Sequence, residues 1–379
     1  MHSLDLLDRL VAFPTVSGDS NVLMIDFVED YLSQRGFEVH RIADDTGTKA
    51  GLFGRIGPAG PGGVMLSGHS DVVPADGEAW SGDPFRLRRD GDRLYARGTT
   101  DMKGFLASAL ALADRITGRR LREPLKLSIS WDEEAGCLGI PQMLRHLGPT
   151  IGAPRLCIVG EPTSMQVATG HKGKASLRAI CRGEAGHSSM APDFINALHL
   201  AADFITGVRE IQAELARTGA RDEGYTVPYS TVHVGRMQGG TALNIVPEQA
   251  VIDLEYRHVA AESSEAIEDR LREAARRADP GKADCGVSLE RLGGYPGLDH
   301  PPDTDCVREG VTLSGRRQTI KVGYGTEAGH FAAAGIPTVI CGPGSMDQGH
   351  IADEFLAMDQ LAACDAFMDR LADRLRDGT

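Results

Sequence analysis

Apolar residues recur at helical spacing over residues 4–13 and 22–32, which predicts two helices. Shorter apolar runs at 51–56 and 64–67 then predict strands, with the turn-rich GPAGPGG at 57–63 as the loop between them. A helix is expected over 102–116 and further strands over 125–131 and 156–159. Continuous apolar strands alternating with amphipathic helices predict an α/β sheet covered on both faces. The pattern changes after about Lys174, where 174–181, 230–236 and 250–256 alternate apolar with polar residues. Helical stretches at 195–217 and 262–277 lie among them, giving the order β-α-β-β-α of a half-exposed sheet backed by two helices. The first pattern returns at 319–322 and 338–341 and closes with a helix over 359–375. The middle segment therefore reads as an α+β domain inserted into an α/β one, with divisions at 1–174, 175–287 and 288–379.

Composition narrows the function. The chain has 379 residues, 41% hydrophobic and 25% charged, as soluble globular proteins do. Its formal net charge of -13, with no run of Lys or Arg, argues against nucleic-acid binding. Acidic residues interrupt the apolar periodicity of the first twenty positions, so no signal peptide is expected, and no run of about eighteen apolar residues predicts a membrane span. The seven scattered cysteines form no C-x-x-C pair and are expected as reduced thiols in a cytoplasm.

Five acidic or histidine sites fall at predicted strand ends or in the loops that follow. In LSGHSDVVP, His69 and Asp71 lie two apart and share one side of an extended backbone, so the carboxylate could orient the imidazole. A turn-capping Asp and a structural His would look the same. In ARGTTDMKG, Asp101 precedes a helix and could be its N-cap or bridge two cations. In SWDEEAGCLG, Asp132, Glu133 and Glu134 have no basic neighbour in sequence and repel one another unless a cation or proton intervenes. Solvated loop charges would carry no such meaning, but Trp131 and Cys137 flank the cluster and argue against full hydration. CIVGEPT supplies Glu161, and GPGSMDQGHIADEF supplies His350. Ligands of open α/β sheets bind beyond the carboxyl ends of the strands, where all five sites are predicted. Two His, two Glu and one Asp suit Zn2+, with Co2+ or Mn2+ as alternatives.

These motifs resemble the dinuclear zinc family that contains aminoacylase, succinyl-diaminopimelate desuccinylase, glutamate carboxypeptidase and acetylornithine deacetylase. Within it, SGHSDVVP, ARGTTDMKGF, DEEAGCLG, GEPT, GTEAG and GPGSMDQGHIADEF look most like the acetylornithine deacetylases. The resemblance implies a three-layer α/β/α catalytic domain with a ferredoxin-like lid and dimerisation domain. It also implies two Zn2+ per chain, His69 and Glu161 on one, Glu134 and His350 on the other, Asp101 bridging and followed by a cis peptide. Glu133 would be the general base and Asp71 the carboxylate behind His69. Two such metals, about 3.5–4 Å apart, lower the pKa of a water and polarise an amide carbonyl.

A sixth motif, RGEAGHSSMAP, holds His187 in the inserted segment. It reads either as a loop before a helix started by Pro192 or, by resemblance, as a histidine that stabilises an oxyanion in the partner subunit of a homodimer. GGTALNIVPEQA brings Asn244 and DLEYRH brings Arg257, candidates for the substrate's α-carboxylate, although an exposed strand arginine fits the same sequence. The implied substrate is N2-acetylornithine, on the way to arginine; Glu161 favours deacylation over exopeptidase action, and another N-acyl amino acid such as succinyl-diaminopimelate is the alternative. His330 in GTEAGHF departs from the family pattern and bears on side-chain specificity. No G-x-S-x-G elbow supports a serine hydrolase, and Gly323 to Gly329 has the wrong spacing for a dinucleotide loop. Lost ligands or a replaced Glu133 would signal a non-catalytic binding protein, and neither occurs.

Overall fold

In the computed structural model, which describes residues 1–377, the apolar runs of the first and last thirds form one nine-stranded sheet. Its order is Glu38–Ala43, Ala50–Ile56, Leu125–Ser130, Val64–His69, Leu156–Pro162, Thr338–Gly342, Val167–His171 and Leu298–Asp299, with Thr319–Val322 beside Val167–His171. Leu125–Ser130, Val64–His69, Leu156–Pro162 and Thr338–Gly342 run parallel, and their carboxyl ends share one side. Every residue of those four strands is buried, which explains the continuous apolar runs at 64–66, 156–159 and 339–341; Leu125–Ser130 buries Lys126, Ser128 and Ser130 as well. Helix Gly104–Ile116 is buried almost throughout and packs with Ser3–Val11 and Met358–Asp377, so its FLASALALA sequence has no polar face. A Cβ on Gly160 would meet the Phe105 ring at 2.0 Å; glycine there lets the helix approach the strand that bears Glu161.

This first unit comprises residues 1–170, 298–322 and 326 onward; the second comprises 171–297 and 323–325. The second unit is a four-stranded antiparallel sheet in the order Thr231–Gly239, Gln249–His258, Gly173–Arg182, Gly286–Tyr295. Helices Ala197–Thr218 and Ser264–Arg277 pack against the sheet, burying Leu177, Phe204, Ile252 and Leu271 in a core of their own. Asn196 accepts from Leu198 N at 2.9 Å and Ser263 from Ala266 N at 3.3 Å, capping the two helices.

Three expectations change. The inserted segment expected over 175–287 extends to Gly297, because Gly286–Tyr295 pairs along nearly all of Gly173–Arg182 as a fourth strand. Its glycines and exposed positions hide the alternation. Pro192 does not begin a helix: it sits in the 3-10 turn Ser188–Asp193, and the helix starts at Ala197. Asp101 is not an N-cap either; it lies in the irregular turn Thr99–Lys103 with extended φ/ψ, and the helix begins at Gly104. Among the described residues no helix is long and apolar enough to cross a membrane, and all seven cysteines are free.

Candidate metal centre

The five predicted ligand positions meet at the carboxyl ends of the parallel strands. His69 ends Val64–His69 and Glu161 is the penultimate residue of Leu156–Pro162. Glu133 and Glu134 follow Leu125–Ser130 in a turn, and His350 stands in the loop after Thr338–Gly342. Asp101 joins them from the turn before Gly104–Ile116, through a cis peptide bond to Met102.

Asp101 divides its carboxylate. Oδ1 lies 3.1 Å from His69 Nε2, and Oδ2 lies 3.0 Å from His350 Nε2. His350 Nε2 is also 3.0 Å from Glu134 Oε1, and His69 Nε2 is 3.7 Å from Glu161 Oε1. His69, Asp101 and Glu134 present ligand atoms within 4.8 Å of one another, as do His69, Glu133 and Glu161.

The donor set fits cations on three grounds. The carbonyl of Asp71 can only accept, so the 2.9 Å bond from His69 Nδ1 puts the ring proton there. A neutral His69 then aims the Nε2 lone pair at Asp101 and Glu161, acceptor against acceptor unless a cation or second proton lies between. Glu161 Oε1 is buried with no hydrogen-bond partner, the state of a carboxylate oxygen that awaits a ligand. Burial, followed by the neighbouring carboxylates, pushes Glu133 and Glu161 well above the usual carboxylate range; burial and then Asp101 push Glu134 to about 7. Bonds from His350 and His69 outweigh burial at Asp101 and hold it low, while Asp101 and Glu134 raise His350 to about 10. The gathered carboxylates therefore hold protons unless a cation takes their place.

Asp71 stands behind His69, its carboxylate 3.5 Å from Nδ1, and it makes three shorter contacts besides. Oδ1 accepts from Glu133 N at 3.1 Å; Oδ2 accepts from Glu134 N at 3.2 Å and from Ser17 Oγ at 2.6 Å. Asp71 therefore fixes the turn that presents both glutamates. Asp132 does have a basic neighbour, Lys49 Nζ at 2.7 Å, brought in by the strand pairing. Glu327 of GTEAG is a further buried carboxylate, bonded by Ser130 Oγ, and burial pushes it to about 7. The sequence marks Glu327 only as a member of GTEAG and does not mark Ser17, because their partners lie 197 and 54 residues away.

His187, Asn244 and Arg257 all lie in the second unit. His187 pairs with Ile245 across a short antiparallel bridge, and Asn244 O accepts from Ser188 N at 3.0 Å. His187 Nδ1 accepts from Ser189 N at 3.2 Å, so the neutral ring carries its proton on Nε2. Arg257 Nε donates to Glu255 at 3.1 Å and Nη1 to Gly323 O at 3.2 Å.

The description peptidase family M20/M25/M40 matches residues 65–374 of the chain. The acetylornithine deacetylase of Myxococcus xanthus is 32% identical over 372 residues, covering 96% of this chain and 95% of that protein. The acetylornithine deacetylase of Proteus mirabilis is 31% identical over 366 residues, covering 94% and 92%. Among solved structures, an M20 family metallo-carboxypeptidase of Sulfolobus solfataricus shares the fold at a TM-score of 0.80 with 18% identity, covering 98% of each chain.

Proposed function

The chain belongs to peptidase family M20/M25/M40, and from that premise we propose that it is a dinuclear metal amidohydrolase that removes the acyl group from an N-acyl amino acid. The observation that carries this reading is the division of Asp101, one oxygen toward His69 and the other toward His350. Zn2+ is the proposed metal, held by His69 and Glu161 on one side, Glu134 and His350 on the other, and Asp101 between. Bound there, such cations polarise an amide carbonyl and lower the pKa of a water.

The remaining chemistry belongs to the chain. Glu133, 9% exposed, takes a proton from the attacking water and passes it to the departing amine. The C–N bond breaks, the water oxygen stays with the acyl product, and Glu133 returns to carboxylate. Asp71 keeps Glu133 and Glu134 in register through their backbone N–H groups. His187 is proposed to donate from Nε2 to the oxyanion, and Arg257, which retains donors beyond those given to Glu255 and Gly323, to receive the substrate α-carboxylate beside Asn244.

Similarity above 30% to acetylornithine deacetylases over more than nine tenths of the chain supports acetylornithine as the substrate, with ornithine and acetate as products. The test is metal analysis of the purified chain together with kcat/KM on a panel of N-acetyl and N-succinyl amino acids and dipeptides. Two Zn2+ per chain and a maximum on acetylornithine are expected. Less than one metal per chain with no hydrolysis of any member would refute the reading; a maximum on another member would move the substrate alone. A homodimer with His187 acting in trans predicts partial recovery of activity when His187→Ala and Glu133→Gln chains are mixed, and no recovery refutes that arrangement.

A further inference from the structure

Glu354 stands four residues beyond His350 in the same loop, and its side chain is wholly buried. Its Oε1 accepts from the backbone N–H of Thr100 at 2.9 Å and of Asp101 at 3.1 Å. Its Oε2 accepts from Gly98 N at 2.9 Å and Arg97 Nη1 at 3.0 Å. A carboxylate offers about four lone-pair directions, and here each is used. Balancing the charge of Arg97 would need one of these bonds; the other three fasten the backbone that ends at Asp101.

The same contact holds the loop that carries His350. Glu354 O accepts from Ala96 N at 3.2 Å, and Arg97 Nη1 donates to Ile351 O at 3.2 Å. Arg97 is itself buried, and its Nη2 donates to Pro74 O at 3.2 Å and Glu78 at 2.6 Å. His350 and Asp353 both have φ of 56°, a left-handed backbone that is uncommon outside glycine although Asp and His tolerate it better than most residues, and the bonds to Ala96 and Arg97 hold the loop in it. His69 and Glu161 need none of this, since the ladder of parallel strands fixes them.

We infer that Glu354 is the positioning residue of the Asp101–His350 half of the metal centre. It places the shared carboxylate and the loop imidazole in one frame, while the strand-borne half is set independently. This rests on the metal-hydrolase reading above.

The test is Zn2+ titration of the metal-stripped full chain, wild type beside Glu354→Gln and Glu354→Asp, with kcat, KM and Tm measured on the same preparations. Glutamine keeps the size, but whichever way its amide turns, the NH2 faces two donors. Glu354→Gln is expected to bind Zn2+ about 10- to 100-fold more weakly, the usual effect of removing a group that orients ligands, with the larger loss at the site that also takes His350, because Asp101 serves both. At saturating Zn2+ its kcat falls more than its KM changes, and the visible absorption of the Co2+-loaded chain shifts. Glu354→Asp, which keeps the charge and shortens the reach by about 1.5 Å, is expected to restore part of the affinity. A lowered Tm with both Zn2+ at wild-type affinity would show a structural role only and overturn the inference. Should Glu354→Gln not fold, Glu354→Asp carries the test, and wild-type affinity at both sites overturns it. Wild-type chain that takes up no Zn2+ sinks the metal reading itself, and the inference with it.

Discussion

Asp71→Asn isolates what the turn at Glu133 and Glu134 contributes. The change is almost isosteric and leaves every proposed ligand in place. In the wild type, Oδ1 receives Glu133 N at 3.1 Å and Oδ2 receives Glu134 N at 3.2 Å, with Ser17 Oγ on Oδ2 at 2.6 Å. An amide must put its NH2 at one of these positions, so one backbone N–H in a buried setting loses a charged acceptor and meets a donor. A hydrogen bond to a charged group contributes about 1.5–3 kcal/mol. If that loss falls on the geometry of Glu133 in the transition state, at about 1.4 kcal/mol per tenfold, kcat/KM drops roughly 10- to 150-fold. The serine can rotate its hydroxyl to accept from the amide NH2; Ser17→Ala, which removes one neutral donor and leaves both backbone bonds, is expected to cost less, about 1 kcal/mol or fivefold. Steady-state kinetics on the best acyl amino acid, with metal content measured beside them, decides the matter. Unchanged kcat in a metal-replete Asp71→Asn chain would refute the idea that this carboxylate places the base. A fall in metal content alone would move its effect to the ligand Glu134.

Glu133→Gln is expected to retain both metals and lose about 10²- to 10⁴-fold in kcat, the usual contribution of general acid–base catalysis; retained turnover removes Glu133 from the role of base. Burial holds His330 near pKa 4, and its Nε2 has no partner. The unfolded chain binds a proton there below about pH 6.5 that the folded chain refuses, so stability falls as pH drops from about 6.5 toward 4. His330→Phe should flatten that slope by about 2 kcal/mol in urea titrations at the two ends, and parallel curves would count against it. Lys126 is wholly buried and its Nζ donates to Gly60 O at 3.0 Å, Gly152 O at 2.8 Å and Ala153 O at 3.2 Å. Lys126→Met leaves three carbonyls without that donor and is expected to cost about 2–4 kcal/mol of unfolding free energy at unchanged kcat per metal-loaded chain; a loss below about 1 kcal/mol would mean water replaces the ammonium.

The sequence by itself determined the elements and the ligand types. Three of the buried strands appear as unbroken apolar runs at 64–66, 156–159 and 339–341, because a strand covered on both faces need not alternate; 125–131 alternates apolar with polar residues and is buried all the same. Ending each run on a His or acidic motif was enough to put His69, Glu133, Glu134, Glu161 and His350 on one side of a sheet. Spacing along the chain could not supply the partners that come from afar. Lys49 reaches Asp132, Ser17 reaches Asp71, Ser130 reaches Glu327, and Glu354 reaches back 253 residues to Asp101. Each is a polar residue with an ordinary local explanation until the strand order brings its partner beside it. Only the tertiary structure decided that Asp101 turns toward two histidines rather than capping a helix, and that Asp71 grips the backbone of Glu133 and Glu134 as well as standing behind His69. It also gave Gly286–Tyr295 to the inserted sheet, since a strand poor in alternation is recognised by what it pairs with. The physical reason is common to all of these: hydrophobic burial is written locally in residue type and period, whereas the satisfaction of buried polar groups is a property of pairs, and the chain fixes those pairs only by folding.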